Sequence, residues 1–159
     1  MNIPTENLIL SILLIQLVAI PGSYLIARLS ERIGNFQALM MTICVWIVIC
    51  LLAYLVPRNG IYPFYGLAIV VGFVMGGIQS LSRSTYAKLM PETHDTTSFF
   101  SFYDVTEKLA IVVGMFGFGY IHEVTGSQRN SVLALMVFFI TGLLILNSAL
   151  RKQKKAALA

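Results

Sequence analysis

The sequence predicts an all-α polytopic membrane protein with five membrane-crossing helices. Three observations carry this reading. Of 159 residues, 57% are apolar and 11% are charged, whereas a water-soluble domain is roughly a quarter charged and just under half apolar. The apolar residues gather in five runs, each near the roughly 20 residues that cross a bilayer as a helix. Strand-like alternation is absent from those runs, which disfavours a β-barrel, and a segment isolated in lipid must be helical to satisfy its own backbone.

The first span covers 7–27, NLILSILLIQLVAIPGSYLIA. Residues 1–6 lack the basic flank of a signal peptide. The apolar run is too long for one and has no cleavage site, so it is expected to stay in the membrane. It carries Gln16, and Pro21 followed by Gly22 is expected to bend it. The second span, 38–56, is uncharged and holds Cys44 and Cys50. Their separation is about 240° of rotation and about 9 Å of rise on a helix, so they read as unpaired small hydrophobes. The third, about 62–82, holds Gly72, Gly76 and Gly77 and ends in Gln79 and Ser80. The fourth, about 99–121, opens with SFYDVTEKLAIVVG and so carries Asp104, Glu107 and Lys108, then Gly114, Gly117 and Gly119. The fifth, 130–149, is again uncharged, and the basic tail 150–159 after it is expected at the anionic inner surface. Small residues let helices approach closely in lipid; tight packing is the first reading of these glycines and a flexing hinge the alternative.

The basic residues set the orientation. Arg28, Arg32, Arg83, Lys88, Arg151, Lys152, Lys154 and Lys155 fall on one side and Arg58 and Arg129 on the other, eight against two. This places the C-terminus in the cytoplasm. The net charge of +4 comes from residues at the ends of apolar runs, a pattern of membrane anchoring. The expected partner is the lipid bilayer, with no nucleic acid.

Polar side chains inside the membrane face a bundle interior or a water-filled cavity. Spans one, three and four are therefore expected to line something, with two and five forming a lipid-facing shell. On the fourth span, Glu107 and Lys108 fall on either side of Asp104 within an arc of about 100°. Ile111, Gly114 and Met115 extend that arc, while Phe102, Val105, Leu109, Val113 and Phe116 lie opposite. Asp104 and Lys108 form an i,i+4 pair in the favourable order. If the span begins near Phe99, Lys108 lies about 13 Å below the edge. The 13 residues 109–121 could not cross alone, so at least Lys108 is expected within the membrane. The three charges sum to −1, which invites a proton or a cation from elsewhere. Two readings stand: a substrate, proton or gating role, or a neutralised cluster that locks helices together.

His94 and His122 are dispersed and make no metal site. There is no glycine loop for phosphate, no nucleophile–base arrangement and no ATP-binding motif. The sequence thus predicts no enzyme and no cofactor, and leaves an ion gradient, of protons or sodium, as the energy source.

Two motifs point further. After the first span come Ala27-Arg28-Leu29-Ser30-Glu31-Arg32-Ile33-Gly34-Asn35. This resembles the major facilitator loop signature G-x-x-x-D-R-x-G-R-R, with alanine for the first glycine, glutamate for the aspartate, and Asn35 and Phe36 for the trailing arginines. A carboxylate at a helix end suits pairing with arginine and the opposing helix dipole. The second motif is Gly76-Gly77-Ile78-Gln79-Ser80-Leu81-Ser82-Arg83-Ser84, continuing TYAKLMPE, then FFSFYD, Lys108 and a glycine-rich span. The order resembles the major facilitator branch that includes the fungal autophagy-related vacuolar amino-acid effluxers and bacterial relatives, over most of the chain from Gln16 to about Asn147.

The resemblance implies helices eight to twelve of a twelve-helix transporter, most of its C-terminal half. The other seven helices would be a missing partner, from a larger transporter or a split gene. It also implies that helix ten lines the cavity, eight and eleven meet the other half, and nine and twelve are peripheral. A small-molecule substrate would then bind near the midplane, with Gln16, Gln79, Asp104, Glu107 and Lys108 as candidates, in a bacterial inner membrane. The rival is a non-transporting fragment, or a regulatory or assembly subunit, that only packs with partner helices.

Overall fold

The computed structural model describes residues 5–55, 61–92 and 95–156. Val56, Arg58 and His94, which the sequence reading placed in a span and in loops, lie outside the described residues. The chain forms five helices: α1 Thr5–Ile33, α2 Asn35–Leu55, α3 Ile61–Leu89, α4 Thr96–Thr125 and α5 Gln128–Ala156. Each covers one of the expected apolar runs, α2 as far as Leu55, and extends past it at one end or both. The extensions are polar: nothing in Arg28–Ile33 or Arg83–Leu89 breaks a helix, so the backbone keeps its hydrogen bonds beyond the apolar run. By length and composition four helices can cross a membrane: α1, α2, α3 and α5. The 30-residue α4 is long enough but not apolar enough, because Asp104, Glu107 and Lys108 sit within it.

Glycine makes two of the turns. Gly34 is the single residue between α1 and α2; with φ 90° it takes the left-handed conformation that ends helices. Its N–H donates to Ser30 O at 2.9 Å. The loop signature is therefore helical through Ile33, and the loop itself is Gly34 alone. Gly126, φ 64°, closes α4 in the same way, donating to His122 O at 2.8 Å.

α1 and α3 run side by side in the same direction, joined by glycine. A Cβ on Gly72 would stand 2.6 Å from Ile15 O, one on Gly76 2.9 Å from Ala19 Cα, and one on Gly22 2.7 Å from Phe73 Cα. Gly77 in turn faces the Ile26 side chain. Only hydrogen fits at these positions, which is how helices bring backbones into contact in lipid. α2 packs on α5 and α3, and α4 leans on α5. The buried core, Ile26, Ala38, Leu39 and Leu81 with Phe73, Ile78 and Leu146 against it, lies where α1, α2, α3 and α5 meet. Buried hydroxyls return to their own helix: Thr42 donates to Ala38 O at 2.7 Å and Thr85 to Leu81 O at 2.6 Å. Among the described residues no buried hydroxyl is left without a partner.

Candidate functional site

The helix with the charges is the one the fold holds least. α4 has no buried residue along its length. Its half-buried positions, Phe100, Tyr103, Glu107, Gly114, Gly117, Phe118 and Ile121, form one stripe at helical spacing. Phe102, Val105, Leu109 and Phe116 on the other side are 57–77% exposed.

α3 and α4 form an antiparallel pair across the short segment 90–95, and they meet at that end through side chains. Arg83 Nη2 lies 2.7 Å from Asp104 Oδ1 and 3.7 Å from Glu107 Oε2. The Arg83 guanidinium stands 5.6 Å from the Tyr103 ring centre, within cation–π range. Tyr103 Oη donates to Ser82 Oγ at 3.0 Å. Tyr86 packs on Tyr103 with ring centres 4.9 Å apart, meets Phe100 edge-on, and donates its hydroxyl to Phe99 O at 2.9 Å. The start of α4 is capped by Asp95, whose Oδ1 accepts from the Ser98 N–H at 3.2 Å. Hydrogen bonding to the Ser98 side chain and backbone holds the Asp95 carboxyl below the usual aspartate range.

Away from this end α3 and α4 have no extended backbone contact. Between them and α5 lies an open cleft of about 820 Å³. Its walls are mostly apolar, with Ile78, Ile111 and Phe138 among them, and Ser82, Tyr103 and Glu107 mark its polar end. Gly114 lines the cleft with nothing within 4 Å of where a Cβ would stand, whereas a Cβ on Gly117 would meet the Phe138 ring at 3.1 Å.

The structure thus unites Asp104 and Glu107, with a partner the sequence reading missed. Asp104 does not pair with Lys108 one turn along its own helix; it takes Arg83, which the sequence alone places among the basic residues that set the orientation. Among the described residues Lys108 has no ion-pair or hydrogen-bond partner. It is exposed, as are Gln16 on α1 and Gln79 on α3. Gln79 lies near the level of Glu107 and Lys108, as the Arg83–Asp104 register requires, while Gln16 is on a separate helix. In the loop signature, Arg28, Glu31 and Arg32 are exposed and Glu31 forms no ion pair among the described residues. Asn35 ties that end to α3, accepting from Lys88 Nζ at 3.0 Å and donating to Thr85 Oγ1 at 3.2 Å. Arg83, Tyr86 and Tyr103 were findable: in a helical hairpin centred near 93–94, residues equally far from the centre face one another, and 83 and 104 are such a pair.

Long apolar helices around a shared core, with an ionic and aromatic cluster on the helix least buried in it, define an integral polytopic membrane protein. Comparison with known proteins narrows this. The family model described as "Vacuole effluxer Atg22 like" matches residues 1–158. A Bacillus subtilis protein named "Uncharacterized MFS-type transporter YxiO" is 32% identical over 146 residues, 92% of this chain and 33% of that protein. Autophagy-related protein 22 of Cryptococcus neoformans is 31% identical over 92% of this chain and 29% of its own length. The Eremothecium gossypii protein of the same name is 32% identical over 93% and 31%. The chain belongs to the Atg22-like vacuole effluxer family. It spans about a third of the length of the curated relatives it matches. No solved structure is significantly similar to it.

Proposed function

We propose that this chain works as the C-terminal portion of a secondary-active transporter that moves a small solute, such as an amino acid, by rocking of two halves. The remaining helices come from another segment, the membrane is a bacterial inner membrane with the C-terminus in the cytoplasm, and a proton or sodium gradient supplies the energy. One observation carries the reading. A 30-residue helix buries none of its residues and presents an unpartnered Lys108 beside an ion-paired cluster. Ionisable groups at membrane depth are costly and face a cavity or a partner surface. Relatives about three times as long have further chain from which such a surface would come.

The helix register refines the depth. Arg83 ends the apolar run of α3, so Asp104, level with it, falls near the bilayer edge, and Lys108 about 6 Å further in. From Asp104 to Thr125 α4 still covers about 33 Å, enough for hydrocarbon about 30 Å thick. The Arg83–Asp104 bond favours a holding role for Asp104 and leaves Lys108, with Gln79 at a similar level, for the solute pathway.

The test is transport by the chain assembled with the rest of a full-length family member, in proteoliposomes offered a labelled amino-acid mixture. Lys108→Ala, correctly folded, should cut flux about tenfold or more. Normal flux by that variant at several pH values would refute the pathway role, and robust flux by the 159-residue chain alone would refute the need for the other helices.

A further inference from the structure

The α3–α4 pair is joined at one end by side chains and open at the other. Every contact that closes it lies within one turn or so of Arg83: the bonds to Asp104 and Glu107, the stacking on Tyr103, the Tyr103–Ser82 hydrogen bond and the Tyr86 contacts to Tyr103, Phe100 and Phe99. Ser82, Tyr103 and Glu107 are at once part of this junction and part of the cleft wall. Holding or parting the junction therefore sets the width of the cleft at that end.

We propose that Arg83 is a latch: through Asp104 and Glu107 it holds the loop-side ends of α3 and α4 together and keeps that end of the cleft narrow. Three features make a latch rather than a permanent weld. The side chains are half exposed, 56% for Arg83 and 53% for Asp104, so the bond is open to competition from water and ions. Glu107 stands 3.7 Å from the same Nη2 and offers a second acceptor one turn deeper. The two backbones have no extended contact with each other, so beyond the 90–95 connection and the packing of α4 on α5 it is these side chains that oppose separation. The Tyr103 ring, with Tyr86 packed against it, gives Arg83 a surface to slide on between the carboxylates, and the two hydroxyls are anchored to Ser82 and Phe99. Releasing Arg83 from Asp104 lets the helix ends part. The latch rests on the transporter reading only for its use in transport; its mechanical part stands on the geometry.

The test reads the helix ends directly and needs no transport. The full chain, with Cys44 and Cys50 replaced by alanine, is placed in lipid nanodiscs. Nitroxides on Ala87→Cys and Ser101→Cys, both exposed and outside the latch, report the separation by dipolar broadening. Arg83→Gln should weaken the broadening by about twofold or more as the open population grows, and Arg83→Asp with Asp104→Arg should restore it. Unchanged broadening in Arg83→Gln overturns the proposal. So that the result does not depend on how a variant folds, the reporter pair is also read in otherwise unsubstituted protein as salt rises from about 0.02 to about 1 M, which shortens the screening length to about 3 Å. Broadening that falls with salt supports the latch, and broadening that holds throughout overturns it. Because Lys108 is unchanged in every sample, a failed latch leaves the pathway role of Lys108 standing, and a failed pathway role leaves the latch standing.

Discussion

Replacing Gly76 by alanine tests the contact on which α1 and α3 are built. The new Cβ would stand 2.8 Å from the carbonyl carbon and 2.9 Å from the Cα of Ala19, where ordinary contact begins at 3.4 Å. Both neighbours are backbone, so no side chain can swing aside, and the helices must part by about 0.6 Å or more at this point. Gly72 against Ile15 and Gly22 against Phe73 are equally close, so the separation spreads along the interface. Overpacking costs about 1–3 kcal/mol, and a radial gap of 0.5–1 Å forfeits about a quarter to a half of each dispersion contact beside it. A loss of about 2 kcal/mol follows, close to a 30-fold change in the folding equilibrium. The assay is reversible unfolding in mixed micelles, followed through the fluorescence of Trp46, the chain's one tryptophan. Gly114→Ala is the control, because nothing lies within 4 Å of its Cβ position. Equal stability of the Gly76→Ala and Gly114→Ala proteins would refute the close-packing argument and revive the hinge reading.

Asp95 caps α4 with a carboxyl held below its ordinary value of 3.8. Its stabilisation is therefore fully present above that value and is lost as pH falls through the lower, folded one. Asp95→Ala should speed exchange of the Ser98 amide relative to the unsubstituted protein at neutral pH, with the difference vanishing in acid; a difference that persists in acid would contradict the capping account. Between α2 and α5, Trp46 stacks on Phe139 with ring centres 5.2 Å apart and planes 14° apart. Phe139→Leu should remove about 0.5–1.5 kcal/mol of ring contact and shift the Trp46 emission with greater quencher access, whereas an unchanged spectrum would argue against the stack.

How much could be read beforehand follows from the range of each interaction. Five helices were legible because lipid imposes roughly 20 apolar residues on any crossing helix. Their ends were not, because Ser30–Ile33 and Arg83–Leu89 are polar yet free of breakers, and polarity marks the limit of the apolar run rather than the limit of the helix. The charges on α4 were legible because they interrupt an apolar run. Their partner was not, because the pairing rule within a helix points from Asp104 to Lys108, while the bond that forms reaches Arg83, 21 residues away in sequence. Gly72 and Gly76 look like Gly114 in the sequence, and only the placement of α1 distinguishes glycines pressed against a backbone from one facing an open cleft.

Arg83 also changes the charge balance. Asp104, Glu107 and Lys108 alone sum to −1, which invited a proton or a foreign cation; with Arg83 at 2.7 Å from Asp104 the four sum to zero. The cluster needs no outside ion for neutrality, so a defect in Lys108→Ala has two sources that must be separated: the loss of Lys108 itself, and the excess negative charge left near the bilayer edge. Adding Glu107→Gln to Lys108→Ala restores the zero sum and keeps the shorter Arg83–Asp104 bond. If neutrality were the whole role of Lys108, the double variant would transport as the unsubstituted protein does. If Lys108 meets the solute, the double variant folds and inserts normally while flux stays at the level of Lys108→Ala. Recovery of flux in the double variant would therefore remove Lys108 from the pathway.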